Sequence, residues 1–349
     1  MTRFSGPIGI LDEHPEWSKR LTAELASRGV PYEKIDHSNH AFDPADRRPR
    51  YSVIVNRTSP SSHRRGHASV LFYAEALLAH YEATGIPVIN PVAAYRFEKS
   101  KALQLDLFER LRVPYPRSIV LNHRDQVVKA LDGLRFPVLL KPNVGGSGAG
   151  IRRFDAREDV ESRLDELDFG PDGTALLQEY VEPEGGAVVR IEVLDGRCLY
   201  AIRIVREADR FNLCPADLCQ VPPARGAGGS GASVSPAGEG PVEPAAAPAS
   251  PAGACPVELA PGLSVTRYEP PAEVVARAVA IARAAAIDVG GIEYLVGRDD
   301  GRIYFYDVNA TSNFVADAPS VLGFDPFPPF ADYIERVARE GRPPARAAA

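Results

Sequence analysis

Val138-Leu139-Leu140-Lys141-Pro142-Asn143-Val144-Gly145-Gly146-Ser147-Gly148-Ala149-Gly150-Ile151 runs from an apolar strand through a lysine into four glycines within six positions. A loop of that composition can bring several backbone N–H groups onto one anion. Glycine is needed because side chains block close approach and because concave N–H arrays use positive φ. Lys141 adds a point charge suited to phosphate. A flexible hairpin turn with a surface lysine is the competing interpretation, and the spacing fits neither the P-loop pattern nor G-x-G-x-x-G. The segment therefore has to be weighed against its flanks.

Downstream, strand alternation over 302–309 places Ile303, Phe305, Asp307 and Asn309 on one face and Tyr304, Tyr306 and Val308 on the other. The preceding run, Gly290-Gly291-Ile292-Glu293-Tyr294-Leu295, carries one more acid. Antiparallel pairing across the turn at 298–301 brings Glu293 opposite Asp307. Two carboxylates and an amide suit Mg²⁺, which completes its octahedron with phosphate oxygens and water. Exposed hairpin charges are the alternative.

Upstream, residues 1–95 alternate short apolar runs with segments of helical period, the pattern of a small parallel α/β lobe. Ile8–Leu11, Tyr32–Ile35 and Tyr51–Val55 read as strands. Glu16–Arg28 reads as a helix entered at Pro15 and stopped at Gly29, with Trp17, Leu21 and Leu25 inward. Another helix spans 68–83, and a third is expected over Ser100–Leu111. The overall class expected is α/β followed by α+β: an N-terminal lobe (1–95), a small central lobe (96–185) and a C-terminal lobe (186–340). Residues 221–256 are almost wholly Pro, Gly, Ala and Ser. With no apolar face to offset the entropy of ordering them, they are expected to form a disordered insertion.

The chain has 349 residues, 45% hydrophobic and 25% charged, with a formal net charge of −6. These values suit a globular enzyme, and they give no overall footprint for nucleic acid despite the local cluster Arg47, Arg48, Arg50, Arg64 and Arg65. The N-terminal apolar run is too short for a signal sequence, and no stretch reaches the roughly 18 apolar residues of a membrane span. A cytoplasmic location without membrane association is expected. Cys198, Cys214, Cys219 and Cys255 lack CxxC spacing and read as reduced thiols.

Taken in order, these motifs resemble the ATP-grasp superfamily, and within it the RimK-type glutamate ligases and glutathione-synthetase-like enzymes. The resemblance covers roughly residues 52–327 without the insertion. It implies an ATP-grasp fold whose lobes clasp ATP, with Mg²⁺ as the metal and Mn²⁺ as its substitute. The implied reaction joins a small carboxylic acid to an amine, such as an amino acid or a peptide, through an acyl phosphate with release of ADP and phosphate.

The same resemblance places Lys101 and Lys141 on the ATP phosphates, with Lys99 competing for the first role, and Gly145, Gly146, Ser147, Gly148 and Gly150 around them. Leu176-Leu177-Gln178-Glu179-Tyr180-Val181-Glu182-Pro183-Glu184 looks like the adenine hinge. Backbone groups of Glu179 and Val181 would read the base, and Glu182 or Glu184 the ribose. Glu293, Asp307 and Asn309 become metal ligands. Arg190 and Arg203 fall on strands where the family puts arginines near the transferred phosphate or substrate carboxylate, for which a bidentate guanidinium is suited; a structural salt bridge is the alternative for each. Arg57, at the C-terminal end of the third strand, matches an arginine near the acceptor, with turn capping as the rival. Asn313 joins it as a substrate contact.

Two departures stand out. Ala310-Thr311-Ser312-Asn313-Phe314 replaces the small residue, Ser, Pro and Gly that usually follow the metal asparagine, and residues 206–268 enter near the expected substrate mouth. The rival functions are an ATP-grasp kinase or ligase with a non-amine acceptor, and a non-catalytic ATP-binding module. Many relatives are dimers or tetramers, which allows a homo-oligomer.

Overall fold

Ile8-Gly9-Ile10-Leu11 and Val53-Ile54-Val55-Asn56 are buried at every position, as strands covered on both faces must be. In this computed structural model, which describes residues 5–14, 16–146, 148–206 and 263–341, they pair in parallel as β1 (Ile8–Leu11) and β3 (Val53–Asn56). With β2 (Tyr32–Ile35) and β4 (Val88–Ile89) they form a sheet of order β2-β1-β3-β4, crossed by α1 (Lys19–Ser27) and α2 (Val70–Ala83). The chain reverses direction across this sheet beside β1. The loops leaving the carboxyl ends of β1 and β3 therefore flank a crevice of the kind that binds ligands in open α/β sheets.

The helix-to-sheet transition that follows contains a segment missed from the sequence, α3 (Val92–Glu98), directly after Pro91. Ser100 then caps α4 (Lys101–Arg110) by accepting a hydrogen bond from the Leu103 N–H. The central sheet is antiparallel, order β5-β8-β6-β7, built from β5 (Ser118–Leu121), β6 (Val138–Pro142), β7 (Arg152–Phe154) and β8 (Ala175–Glu179). Short helices α5 (Val127–Leu131) and α6 (Arg157–Glu161) cover one face. Alternation sends Val138 and Leu140 into that core and turns Leu139 and Lys141 to the opposite, cleft-facing side.

The third sheet is also antiparallel, order β11-β10-β9-β12-β13, from β9 (Pro183–Leu194), β10 (Arg197–Arg206), β11 (Leu263–Arg267), β12 (Val289–Gly297) and β13 (Ile303–Asn309). Val189, Ile191, Ile292 and Phe305 pack one face against α7 (Ala272–Ala284) and α4. The other face packs partly on α8 (Ala318–Leu322) and α9 (Phe327–Glu340), which also contact the first sheet's core. The lysine, the glycine loop and the carboxylate hairpin all meet where this second face looks toward the central sheet.

Strict alternation fails in β13, and this corrects the face assignment above. Glu293 pairs with Asp307 as expected, but Tyr294 pairs with Phe305, leaving Tyr306 as the extra residue of a bulge. Phe305 and Val308 consequently share the core face, while Tyr306, Asp307 and Asn309 line the cleft.

Asn90 joins the first and third sheets. It sits at φ 54°, which asparagine tolerates better than most residues. Its Oδ1 accepts from the Asp288 and Val289 N–H groups at 2.8 and 3.2 Å, its Nδ2 donates to the Val289 and Ala310 carbonyls, and its own N–H donates to Asp288 Oδ2. Asn90→Ala strands these buried groups and is expected to lower the unfolding free energy by about 2–4 kcal/mol, measured by urea denaturation. No helix among the described residues is long and apolar enough to cross a membrane. Ser147, the 221–256 segment and Cys214, Cys219 and Cys255 lie outside the described residues. Cys198 is half-buried and has no disulfide partner among the described residues.

Candidate active site

Residues directly opposite one another on neighbouring strands share a face. Arg190 on β9, Glu293 on β12 and Asp307 on β13 stand in one such row, and Glu192, Gly291 and Asn309 in the next. Gly291 is the position in that patch without a side chain. A Cβ there would lie 2.4 Å from Cζ, Nε and Nη2 of Arg190, so the guanidinium lies across bare backbone. From that position its Nε donates to Glu192 Oε1 at 2.6 Å and its Nη1 to Glu293 Oε1 at 2.9 Å, all three side chains being buried. Burial works against the Arg190 charge, but the two carboxylates outweigh it and hold the pKa well above the ordinary value.

The same register explains why Arg203 is absent from the site. Ile202 lies opposite Arg190, while Arg203 lies opposite Val189 on the far face and is exposed. The resemblance puts both arginines near the transferred phosphate or the substrate carboxylate, with a structural salt bridge as the alternative for each. The structure brings only Arg190 to the cavity, and it does so as the partner of a carboxylate.

Glu293, Asp307 and Asn309 converge. Asn309 Nδ2 is 3.4 Å from Glu293 Oε1 and 3.5 Å from Asp307 Oδ2, and Lys101 Nζ donates to Asp307 Oδ1 at 2.8 Å. Burial, reinforced by the neighbouring Asp307 charge, pushes the Glu293 carboxyl up despite Arg190. Burial also penalises the Asp307 carboxylate, but Lys101 more than compensates and its pKa falls. A hard divalent cation fits this set. Its ligands would be oxygens from two crowded carboxylates and an amide whose flip presents Oδ1, and it would relieve the charge penalty on Glu293.

Tyr306, assigned from the sequence to the opposite face, donates its hydroxyl to Glu293 Oε2 at 2.8 Å, and its ring lies 5.7 Å from Lys141 Nζ. Tyr306→Phe leaves that buried oxygen short of a donor and is expected to cost about 1.5–3 kcal/mol of stability. Tyr304→Phe, which removes a bond to exposed Asp300, is expected to cost about 0.5 kcal/mol in the same chemical denaturation series.

One cavity is lined by Lys101, Lys141, Gly145, Gly146, Gly148, Arg190 and the three candidate metal ligands. Lys99 faces elsewhere, with its ammonium on Glu75 and near the rings of Phe72 and Tyr95. Gly148 and Gly150 have φ of 69° and 74°; Gly150 packs against Pro142 rather than lining the cavity. A neighbouring pocket shares Lys141, Ile151 and Tyr306 with the first and is walled by Leu139, Gln178, Glu179, Tyr180, Val181 and Leu295. The Glu179 carboxylate turns away to Arg135 at 2.9 Å and its N–H is bonded to the Arg117 carbonyl at 2.9 Å. Glu184 is exposed and outside this lining, and Glu182 pairs with Arg298.

The far wall comes from the first sheet and the loop after β13: Trp17, Ser59, Pro60, Ser61, Thr311, Ser312, Asn313 and Phe314. Arg57 is buried behind it and donates to the Ser312 carbonyl and to Asn313 Oδ1. Ser312 Oγ in turn donates to Glu192 Oε1 at 3.0 Å, which links this wall to Arg190. Glu98 also lines the cavity and accepts from the Ala310 and Thr311 N–H groups; burial pushes its carboxyl up to about 7. Neither Glu98 nor Glu192 was singled out from the sequence, although the i, i+2 spacing of Arg190 and Glu192 on a strand puts them on one face.

Residues 98–216 match the model of the RimK-like ATP-grasp domain. A probable alpha-L-glutamate ligase 2 of Shewanella denitrificans is 26% identical over 200 residues, 53% of this chain and 62% of that protein. The chain thus spans less than two thirds of that relative's length. The ATP-grasp ligase PsnB, solved with a phosphomimetic variant of a minimal precursor, Mg and ADP, superposes with a TM-score of 0.63 at 18% identity over 96% of this chain and 99% of that one. The D-alanine–D-alanine ligase of Bacillus anthracis complexed with ATP superposes with a TM-score of 0.61 at 15% identity, over 96% and 98%. The sequence match and the fold agree: residues 98–216 are similar to the RimK-like ATP-grasp domain, and the chain has the fold of the ATP-grasp ligases.

Proposed function

We propose that the protein is an ADP-forming carboxylate–amine ligase that uses ATP and Mg²⁺. The observation that carries this reading is the convergence of Lys101, Lys141, the glycine loop and Glu293, Asp307 and Asn309 on one cavity continuous with a mostly apolar hinge pocket. The hinge pocket takes adenine between Leu139, Ile151, Val181 and Leu295, with the peptides of Glu179 and Val181 at its edge. The Glu179 N–H is already used, so its carbonyl is the group left to read the base. Lys141, the amides of Gly145, Gly146 and Gly148, and Lys101 hold the phosphates. A metal held by Glu293, Asp307 and Asn309 supplies charge neutralisation to the phosphates.

A carboxylate oxygen of the acid substrate attacks the γ-phosphorus, the bond to the β-phosphate oxygen breaks, and ADP leaves. The amine nitrogen then attacks the acyl carbon, phosphate departs with the carbon–oxygen pair, and the ammonium protons are lost to solvent. Arg190 orients Glu293 throughout, and Gly146 and Ser61, on facing walls of the same cavity, help keep water from the acyl phosphate. Catalysis of this kind is positioning and electrostatics. Small acids and amines, amino acids or peptides among them, are the substrates this reading supports, with Arg57 and Asn313 at the acceptor end. It also supports the three-lobe division at 1–95, 96–185 and 186–340, and a cytoplasmic location.

The test incubates the protein with Mg²⁺-ATP, pooled amino acids and di-acids, and hydroxylamine. ADP with an acyl hydroxamate is expected; AMP contradicts the proposal.

A further inference from the structure

An α-helix leaves the N–H groups of its first turn without acceptors inside the helix. In α4 these belong to Lys101, Ala102 and Leu103, since the Gln104 N–H already reaches the Ser100 carbonyl at 3.2 Å. Ser100 Oγ serves Leu103. The other two are served from outside the helix by a single residue just past the end of β6. The Lys101 N–H donates to the Asn143 carbonyl at 3.3 Å, and the Ala102 N–H donates to Asn143 Oδ1 at 2.8 Å.

Asn143 is 7% exposed and has each of its polar groups engaged. Its Oδ1 also accepts from Ser100 Oγ at 3.2 Å, its Nδ2 donates to Asp172 Oδ2 at 2.7 Å, and its N–H donates to the Thr174 carbonyl at 2.9 Å. Helix N–H groups only donate and a carboxylate only accepts, so the amide can face this way and no other.

The position of this residue in the chain gives the contact its meaning. Asn143 follows Lys141 by two residues and precedes Gly145 by two. Across the contact, the first turn of α4 carries Lys101, whose ammonium meets Asp307. Gln104, three residues on, pairs with both polar groups of the Val308 peptide unit: its Oε1 accepts from the N–H at 3.1 Å and its Nε2 donates to the carbonyl at 2.9 Å. Val308 stands between Asp307 and Asn309. The helix start is thus fastened to the strand of the candidate metal ligands on one side and, through Asn143, to the phosphate loop on the other.

Building on the ligase reading, we propose that Asn143 is a positioning residue for ATP: by capping α4 from the end of β6 it fixes the separation between Lys101 with the metal ligands and Lys141 with the glycine loop, a separation that one triphosphate has to match.

Mg²⁺-ADP titration and steady-state turnover together test this role. Asn143→Ala is expected to weaken Mg²⁺-ADP binding and to raise KM for ATP about tenfold, with KM for the acid within about twofold of wild type. A loss of folded protein alone lowers kcat and leaves KM unchanged. Ser100→Ala removes the Leu103 cap but neither N–H bond to Asn143, so it is expected to lower the melting temperature while Mg²⁺-ADP affinity stays within about twofold. Asn143→Asp turns a carboxylate onto Asp172 and is expected to weaken binding at least as much as the alanine. Adding Asp172→Asn to it restores a donor facing an acceptor and is expected to bring the affinity back to within about threefold of wild type. A folded Asn143→Ala with unchanged nucleotide affinity and KM, or an exchanged pair that recovers nothing, overturns the positioning role and leaves ligation standing. Absence of Mg²⁺-ADP binding by the wild-type protein overturns the nucleotide site and this role with it.

Discussion

Asp307→Asn is expected to reduce Mg²⁺-dependent ADP formation by about 10³-fold while leaving the protein folded. The substitution keeps the side chain's volume and an oxygen for Lys101, whose ammonium lies 2.8 Å from Oδ1. What it removes is one of the two negative charges that can hold a divalent cation beside the phosphates. It also removes a repulsion on Glu293, whose carboxyl is raised by burial and by the Asp307 charge. The expected signature is therefore a large loss of turnover with little loss of stability, read from ADP release and a urea melt on the same preparation. A loss below about fivefold is incompatible with Asp307 as a metal ligand.

Gly291→Ala is expected to have the second largest effect, although it changes no polar group. The added methyl would stand 2.4 Å from the Arg190 guanidinium, so Arg190 must leave its place between Glu192 and Glu293. Two buried carboxylates then lose their counter-ion, at a cost of about 3–5 kcal/mol. Glu192 Oε2 already has no partner among the described residues, which leaves little to absorb the change. Turnover is expected to fall about 10²-fold, because Glu293 is no longer oriented. A double-mutant cycle isolates the cause: with Arg190→Ala already present, Gly291→Ala should add little. Additive losses would show that the methyl acts on something other than Arg190.

How far these features could be read beforehand varies with the length scale of the signal. The antiparallel pairing of Glu293 with Asp307 follows from a short polar turn between two strands, a local property, and the structure has that register. The bulge at Tyr306 does not follow from alternation, and it moved that tyrosine into the cleft. Arg190 and Arg203 look alike in sequence, yet the β9–β10 register places them on opposite faces, and register depends on the whole sheet. Lys99 and Lys101 are separated by the helix break at Ser100, which sends one to Glu75 and the other to Asp307. Glycines inside a strand hint at a close approach, so Gly290-Gly291 was a usable signal for a buried neighbour, though not for which one.

The most direct measurement follows oxygen. The protein is supplied with Mg²⁺-ATP, an accepted acid labelled with ¹⁸O in its carboxylate, and an amine, and the products are resolved by mass. Transfer of one ¹⁸O into the released phosphate, with unlabelled ADP, is expected if the carboxylate attacks the γ-phosphorus in the cavity built by Lys101, Lys141, Glu293, Asp307 and Asn309. Label appearing in AMP, or amide formed with phosphate free of ¹⁸O, would contradict an acyl phosphate.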